Sequence, residues 1–286
     1  MEIIFITGKG GVGKSAVAAA FALNRAQLGK KTLLVELGDQ SFYSDFFNLS
    51  HVCYTPVNLK PNLDVALLSG QESLKEYALH LIKVESLYKI FFENAVTKAL
   101  INVAPALPEL AILGKITSGP PRNVGPKMPY DCIVVDAYAS GHFEALIKAP
   151  QGMAQAIRFG PMGDQCRSID AVLKNSNICR YYVVSLPEEL PVVEACELAS
   201  QIQSTLGVKP IHLLNRCLPI NDEDLHHQES KDLQAFQKRM QQQLQHEKEF
   251  LTRLQTENHN VFRLPQIYQV DPWKVVETLA QEIPNA

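Results

Sequence analysis

The residues from Gly8 to Ser15 read GKGGVGKS, with four residues between Gly8 and Gly13 and Lys14 and Ser15 following at once. That spacing is the pattern of a phosphate-binding loop. Glycines at these positions let successive backbone N–H groups curl around phosphate oxygens, and the helix that follows adds the positive end of its dipole. Gly8, Lys9, Gly10, Gly11, Val12, Gly13, Lys14, Ser15 and Ala16 are therefore expected to hold the phosphates of ATP or ADP. Lys14 would neutralise the β- and γ-phosphates, and the Ser15 hydroxyl would ligate Mg²⁺. Lys9 is a second lysine, one more than such a loop requires.

A loop of this kind works only between a strand and a helix, and the surrounding pattern supplies both. Residues 3–7, 32–37, 63–68, 131–137, 180–186 and 210–215 are short runs rich in Ile, Val and Leu. They are apolar at consecutive positions, as in strands covered on both faces. Between them lie longer helical patterns, such as residues 15–30 and 187–207. The alternation predicts an α/β fold: a doubly wound, mainly parallel sheet with helices on both faces, plus a small helical subregion.

No internal repeat or compositional break divides the chain, so residues 1–286 are expected to form a single domain. Its helical subregion would lie at about 70–120 and 143–178. Residues 222–258 are rich in Gln, Glu, Lys and His, and Leu233, Phe236, Met240, Leu244, Leu251 and Leu254 recur there mostly at intervals of three or four. This predicts one long amphipathic helix, with His226, His227 and Glu229 solvated and not holding a metal.

Composition sets bounds on partners and compartment. The chain has 286 residues with a formal charge of −3, of which 46% are apolar and 20% charged. The charged share falls slightly below that of an average soluble domain, which favours a surface hidden in a protein interface. The acidic balance argues against nucleic acid as a partner. No apolar run approaches the length that spans a bilayer, and no stable membrane insertion is expected. The six cysteines are scattered without a C-x-x-C pair, as in reduced thiols of a cytoplasmic protein.

The segment from Lys9 to Ser15 resembles the deviant phosphate loop of the arsenite-pump ATPases, the tail-anchored-protein targeting ATPases and the MinD/ParA partitioning ATPases. The resemblance implies that Lys9 crosses a dimer interface to touch the partner's nucleotide. Residues Asp136 to His142, DAYASGH, are similar to the arsenite-pump branch pattern D-T-A-P-T-G-H. On that resemblance Asp136 would hold a Mg²⁺ water, and Gly141 would let backbone approach the γ-phosphate. Ala137, Tyr138, Ala139 and Ser140 depart from the usual residues. Residues 185–198, 213–219 and 105–116 and the C-terminal helix around DPWKVVETLAQEI also resemble family segments. They imply that Asn215 reads adenine and that Pro265, in the Leu264-Pro265 pair, closes the adenine site. One amide offers both a donor and an acceptor to a base edge.

The departures bear on activity. The family's water-orienting aspartate falls on Gly38, with Asp39 one place later and Glu36 two earlier. Asp39 is read either as the displaced catalytic aspartate or as the N-cap of a helix over residues 41–47. Residues 143–178 hold only Met153 and Met162, which gives no support for a methionine-rich tail-anchor groove. Cys166 and Cys179 read as core residues, not as a metalloid site. Phe42, Tyr43, Phe46, Phe47, Tyr54, Tyr88, Phe91 and Phe92 read as core or as partner surface. Three functions remain open. They are a nucleotide-dependent dimeric switch ATPase acting on a protein client, an ATP-binding regulatory subunit with little hydrolysis that pairs with a related ATPase, and a small-molecule kinase or ligase. The dimer could join two copies or two related subunits.

Overall fold

The computed structural model describes residues 1–82, 106–122, 127–157, 159, 161–219, 231–256 and 260–284. Six of its strands fall on the six apolar runs: β1 (Glu2–Gly8), β2 (Thr32–Leu37), β4 (Leu63–Leu68), β5 (Cys132–Ala139), β6 (Cys179–Ser185) and β7 (Ile211–Cys217). Two more were not expected from the pattern. The short strand β3 (Val57–Lys60) pairs antiparallel with β4, and β8 (Asn260–Pro265) runs parallel beside β7. Both are edge strands with few buried residues, so the continuous apolar signature is missing. The sheet has eight strands in the order β3-β4-β2-β5-β1-β6-β7-β8.

Nine helices lie among the described residues. They are α1 (Lys14–Gln27), α2 (Phe42–Phe46), α3 (Gly70–Ile82), α4 (Leu107–Ile116), α5 (Ser140–Ala156), α6 (Pro161–Leu173), α7 (Glu189–Leu206), α8 (Lys231–Thr256) and α9 (Pro272–Glu282). Because β-strand side chains alternate, each central strand feeds two cores. Ile3 and Phe5 join the apolar faces of α4, α5, α6 and α7 on one side of the sheet. Ile4 and Ile6 join α1, α2 and α9 on the other. Fully burying each of these side chains is worth about 1.5–3 kcal/mol, so the two cores hold the central strands rigidly at the point where the loop begins.

The long helix is described from Lys231 to Thr256, and residues 222–230, with His226, His227 and Glu229, lie outside the described residues. So do Tyr88, Phe91 and Phe92. The stripe on α8 packs only in its C-terminal half. Leu244 and Leu254 are buried, whereas Phe236 is 56% exposed. What anchors the helix is a polar residue. Glu247, almost fully buried, accepts from the backbone N–H of Leu218 at 2.9 Å and pairs with Arg263 at 3.3 Å.

Candidate functional site

The end of β1 lies between β5 and β6, and the chain leaves it for β2 on one side while β6, β7 and β8 extend the other. Open α/β sheets bind ligands in the crevice at such a reversal. Gly8 ends β1 at φ +143°, and a Cβ added there would sit 2.2 Å from the carbonyl oxygen of Val184. No other residue fits between the two strands. Val12 is buried and anchors the loop in the α1-side core. Lys14, the first residue of α1, folds back so that its Nζ donates to the Lys9 carbonyl at 2.9 Å. Burial pulls its pKa down, opposed by the nearby Asp136 carboxylate.

Asn215 sits where β7 breaks register with β8, beside Arg216 at φ +59°. The irregularity brings its side chain onto the loop: Nδ2 donates to the Val12 carbonyl at 2.9 Å. The same nitrogen would lie 2.6 Å from a Cβ on Gly13, so Gly13 leaves room for Asn215. The sequence reading assigned both ends of this amide to a base edge. In the structure one of the two N–H groups of Nδ2 holds the loop. Pro265 closes β8 opposite Cys217, and Gln266 N–H donates to the Cys217 carbonyl at 2.7 Å.

Asp136 is buried in β5, opposite Ile6 of β1 and Glu36 of β2. The Tyr43 hydroxyl stands 3.1 Å from its Oδ2 and 2.9 Å from the Ser15 carbonyl, so one proton is shared between two acceptors. Burial pushes the Asp136 carboxyl up to about 6, against hydrogen bonds from Ser15 and Tyr43 and the charge of Lys14. Ser15 and Asp136 are thus adjacent, which fits a divalent cation delivered with phosphate oxygens. Among the described residues no group of three or more His, Cys, Asp or Glu could hold a metal.

The segment after β2 corrects one of the two readings of Asp39. The N-cap of α2 is Ser41, whose Oγ accepts from Ser44 N–H at 3.2 Å. Asp39 is therefore not the helix cap, because the chain takes two more residues to turn. It is exposed, and its charge acts on the Tyr138 hydroxyl of β5. Glu36 is buried and accepts from Ser41 Oγ at 2.5 Å and from Phe42 N–H at 2.6 Å. Burial raises its pKa, with those bonds opposing.

Lys9 is not solvated on the loop. Its Nζ pairs with Oε1 of Glu194 on α7 at 2.7 Å, with about a third of each side chain exposed. Gly141 is the second residue of α5, exposed, with open space around it. Ala139, just ahead of it, is in register with Gly8, so the N-terminus of α5 stands beside the loop. Sequence reasoning missed Tyr43, Glu36 and Glu194 as contributors. Tyr43 was visible only as one member of an aromatic run.

A phosphate loop at the switch point of a mainly parallel, helix-covered sheet defines the class: a P-loop nucleoside-triphosphatase fold. The family model described as anion-transporting ATPase matches residues 1–160, and the chain belongs to that family of ArsA-type ATPases. ATPase BagA of Mycobacterium tuberculosis is 27% identical over 226 residues, 77% of this chain and 66% of its own length. A putative arsenical pump-driving ATPase of Halobacterium salinarum is 27% identical over 76% of this chain, which is 35% of that protein. Putative arsenical pump-driving ATPase 2 of Aquifex aeolicus is 24% identical over 78% of this chain and 83% of its own. The chain thus spans less than two thirds of the first two of these relatives. Among the described residues no helix is long and apolar enough to cross a membrane.

Proposed function

We propose that this protein binds MgATP at residues 8–16 and is a nucleotide-dependent dimeric switch ATPase acting on a protein partner in the cytoplasm. One observation carries the reading. The Tyr43 hydroxyl ties α2 to both Ser15 and Asp136, so whatever binds at Ser15 is felt in α2. On α2 the Phe42 ring is 47% exposed and stacks on Phe46, which places an aromatic surface one turn from the phosphate site. Segments ordered by a γ-phosphate are a common way to pass nucleotide state to a partner.

The roles follow from position. Lys14 would exchange the Lys9 carbonyl for phosphate oxygens, and Asp136 would orient the Ser15 hydroxyl and an adjacent water. Mg²⁺ would neutralise charge on the β- and γ-oxygens. Asn215 Oδ1 would accept from the adenine amino group while Nδ2 keeps the loop in place, with Pro265 closing the base site. Gly141 would give the γ-phosphate close access to the N-terminus of α5. Lys9 would leave Glu194 to reach the nucleotide of the second subunit, a copy or a related chain. Exchanging an ion pair about a third exposed costs about 1 kcal/mol or less, so Glu194 does not block the move.

Asp39 would position the attacking water once its loop closes. Its exposure in the structure favours a second reading, an ATP-binding regulatory subunit with little hydrolysis. Turnover and light scattering with ATP, ADP and a non-hydrolysable analogue separate the two. Lys14→Ala should abolish nucleotide binding, since losing a charge-assisted contact in a buried site costs about 2–3 kcal/mol or more. Lys9→Ala should keep nucleotide binding and lose ATP-dependent dimerisation, by roughly thirtyfold for about 2 kcal/mol. Asp39→Asn should keep the ATP dimer and stop turnover. No turnover in the wild type, with an intact ATP dimer, selects the regulatory reading. A wild type that stays monomeric with ATP removes the homodimer.

A further inference from the structure

A second cavity, of about 470 Å³, lies against β2 and β4 under α3 and α4, and no residue of the phosphate loop lines it. Its size falls within the range of small-molecule sites. Leu33, Ala66, Leu68 and Ala111 give it an apolar floor. Two carboxylates and three cations line it, Glu76 and Asp64 against Lys115, Arg122 and Lys127.

The carboxylates are already satisfied. Glu76 accepts from the Tyr54 hydroxyl and from Lys115 Nζ, and the Lys115 ammonium also lies 3.9 Å from the centre of the Tyr54 ring. Asp64 accepts from the Tyr130 hydroxyl and from Asn58 Nδ2, both at 2.9 Å. Arg122 is different. Its guanidinium donates to the Gly114 carbonyl at 2.6 Å, the Thr117 carbonyl at 3.1 Å and Ser168 Oγ at 3.3 Å, all neutral acceptors. Among the described residues no carboxylate forms an ion pair with it, although burial is enough to pull its pKa down. A partly buried cation with no carboxylate partner among the described residues retains part of its desolvation cost, and three neutral bonds fix the direction of its planar fork. Lys127, exposed at the rim, adds a second positive charge.

We propose that this cavity binds a small amphipathic anion, its carboxylate or phosphate group on Arg122 and Lys127 and its aromatic or aliphatic body on the apolar floor. The site is separate from the nucleotide reading and stands without it. The test is calorimetric titration of the whole chain with 3-phenylpropionate, phenyl phosphate and the neutral 3-phenylpropionamide, each with and without MgADP. At least one anion should bind, the amide at least tenfold more weakly, and MgADP should not displace it. The stronger of the two anions identifies the head group. Arg122→Gln should cost about tenfold or more in affinity and the exposed Lys127→Gln about threefold. Ala111→Leu, which narrows the floor, should remove binding, and a melting curve reports whether each variant is folded. Failure of both anions, equal binding of the amide, displacement by MgADP, or unchanged affinity in folded Lys127→Gln overturns the proposal.

Discussion

Two segments meet at the same edge of the sheet and are held in opposite ways. Residues 8–16 are shaped by backbone: Gly8 presses on the Val184 carbonyl, and Gly13 makes room for an amide that grips the Val12 carbonyl. Residues 38–47 are shaped by side chains. Glu36 holds Ser41 and Phe42 from the strand below, Tyr43 reaches Asp136, and Phe47 stacks on Trp273 of α9 with centroids 4.1 Å apart. A backbone-built loop has one shape and tolerates few residues. A segment built from side-chain contacts can lose some of them and keep others, which is what a switching element needs.

The largest effect expected from breaking this contrast is at Gly8. Gly8→Ala puts a methyl carbon into a carbonyl oxygen at a φ that side chains avoid, and should cost about 3 kcal/mol by urea unfolding. A loss well under about 1 kcal/mol would mean that β1 and β6 can part, and that the loop is not rigid. Tyr43→Phe comes next. It removes the shared proton from two buried acceptors while leaving the ring in place, and should cost about 1–1.5 kcal/mol. It should also uncouple α2 from nucleotide, so that the ATP-dependent change in limited proteolysis of residues 38–56 disappears while ATP affinity changes little. If proteolysis of that segment still responds to ATP, Tyr43 is not the link.

Glu194→Gln tests the smallest term. The Lys9 pair is about a third exposed, so stability should shift by less than about 1 kcal/mol. If Lys9 serves a second subunit, the variant should form the ATP dimer at lower protein concentration than the wild type, because its cis partner is weakened. Weaker dimerisation in light scattering would instead place Glu194 itself in the interface.

The fold was legible because its central strands are continuous apolar runs, and β2 and β4 begin and end where the sequence pattern does. β8 was not legible as a strand, since NVFRLP has exposed residues at three of its six positions and offers no apolar run. The stripe on α8 was visible but misleading about packing. Periodicity marks one face of a helix without saying how far along its length a body lies beneath it, and here Phe236 is left in solvent. At the site, residues 8–16 and Asp136 could be picked out because each lies in or after a continuous apolar run with a motif around it. Glu194 could not, being one glutamate among several on an amphipathic helix.

What the sequence determined by itself was the loop, the six strands with continuous apolar runs and the family to which the chain belongs. These follow from residue types at fixed short spacings, which local sterics and hydrophobic periodicity translate directly into backbone. Only the tertiary structure decided the partners of the polar side chains. Lys9 meets Glu194 across 185 positions, Asn215 meets Val12 across 203, and Tyr43 meets Asp136 across 93. No local pattern encodes such distances. They are set when two cores lock the strands in register and bring one edge of the sheet together.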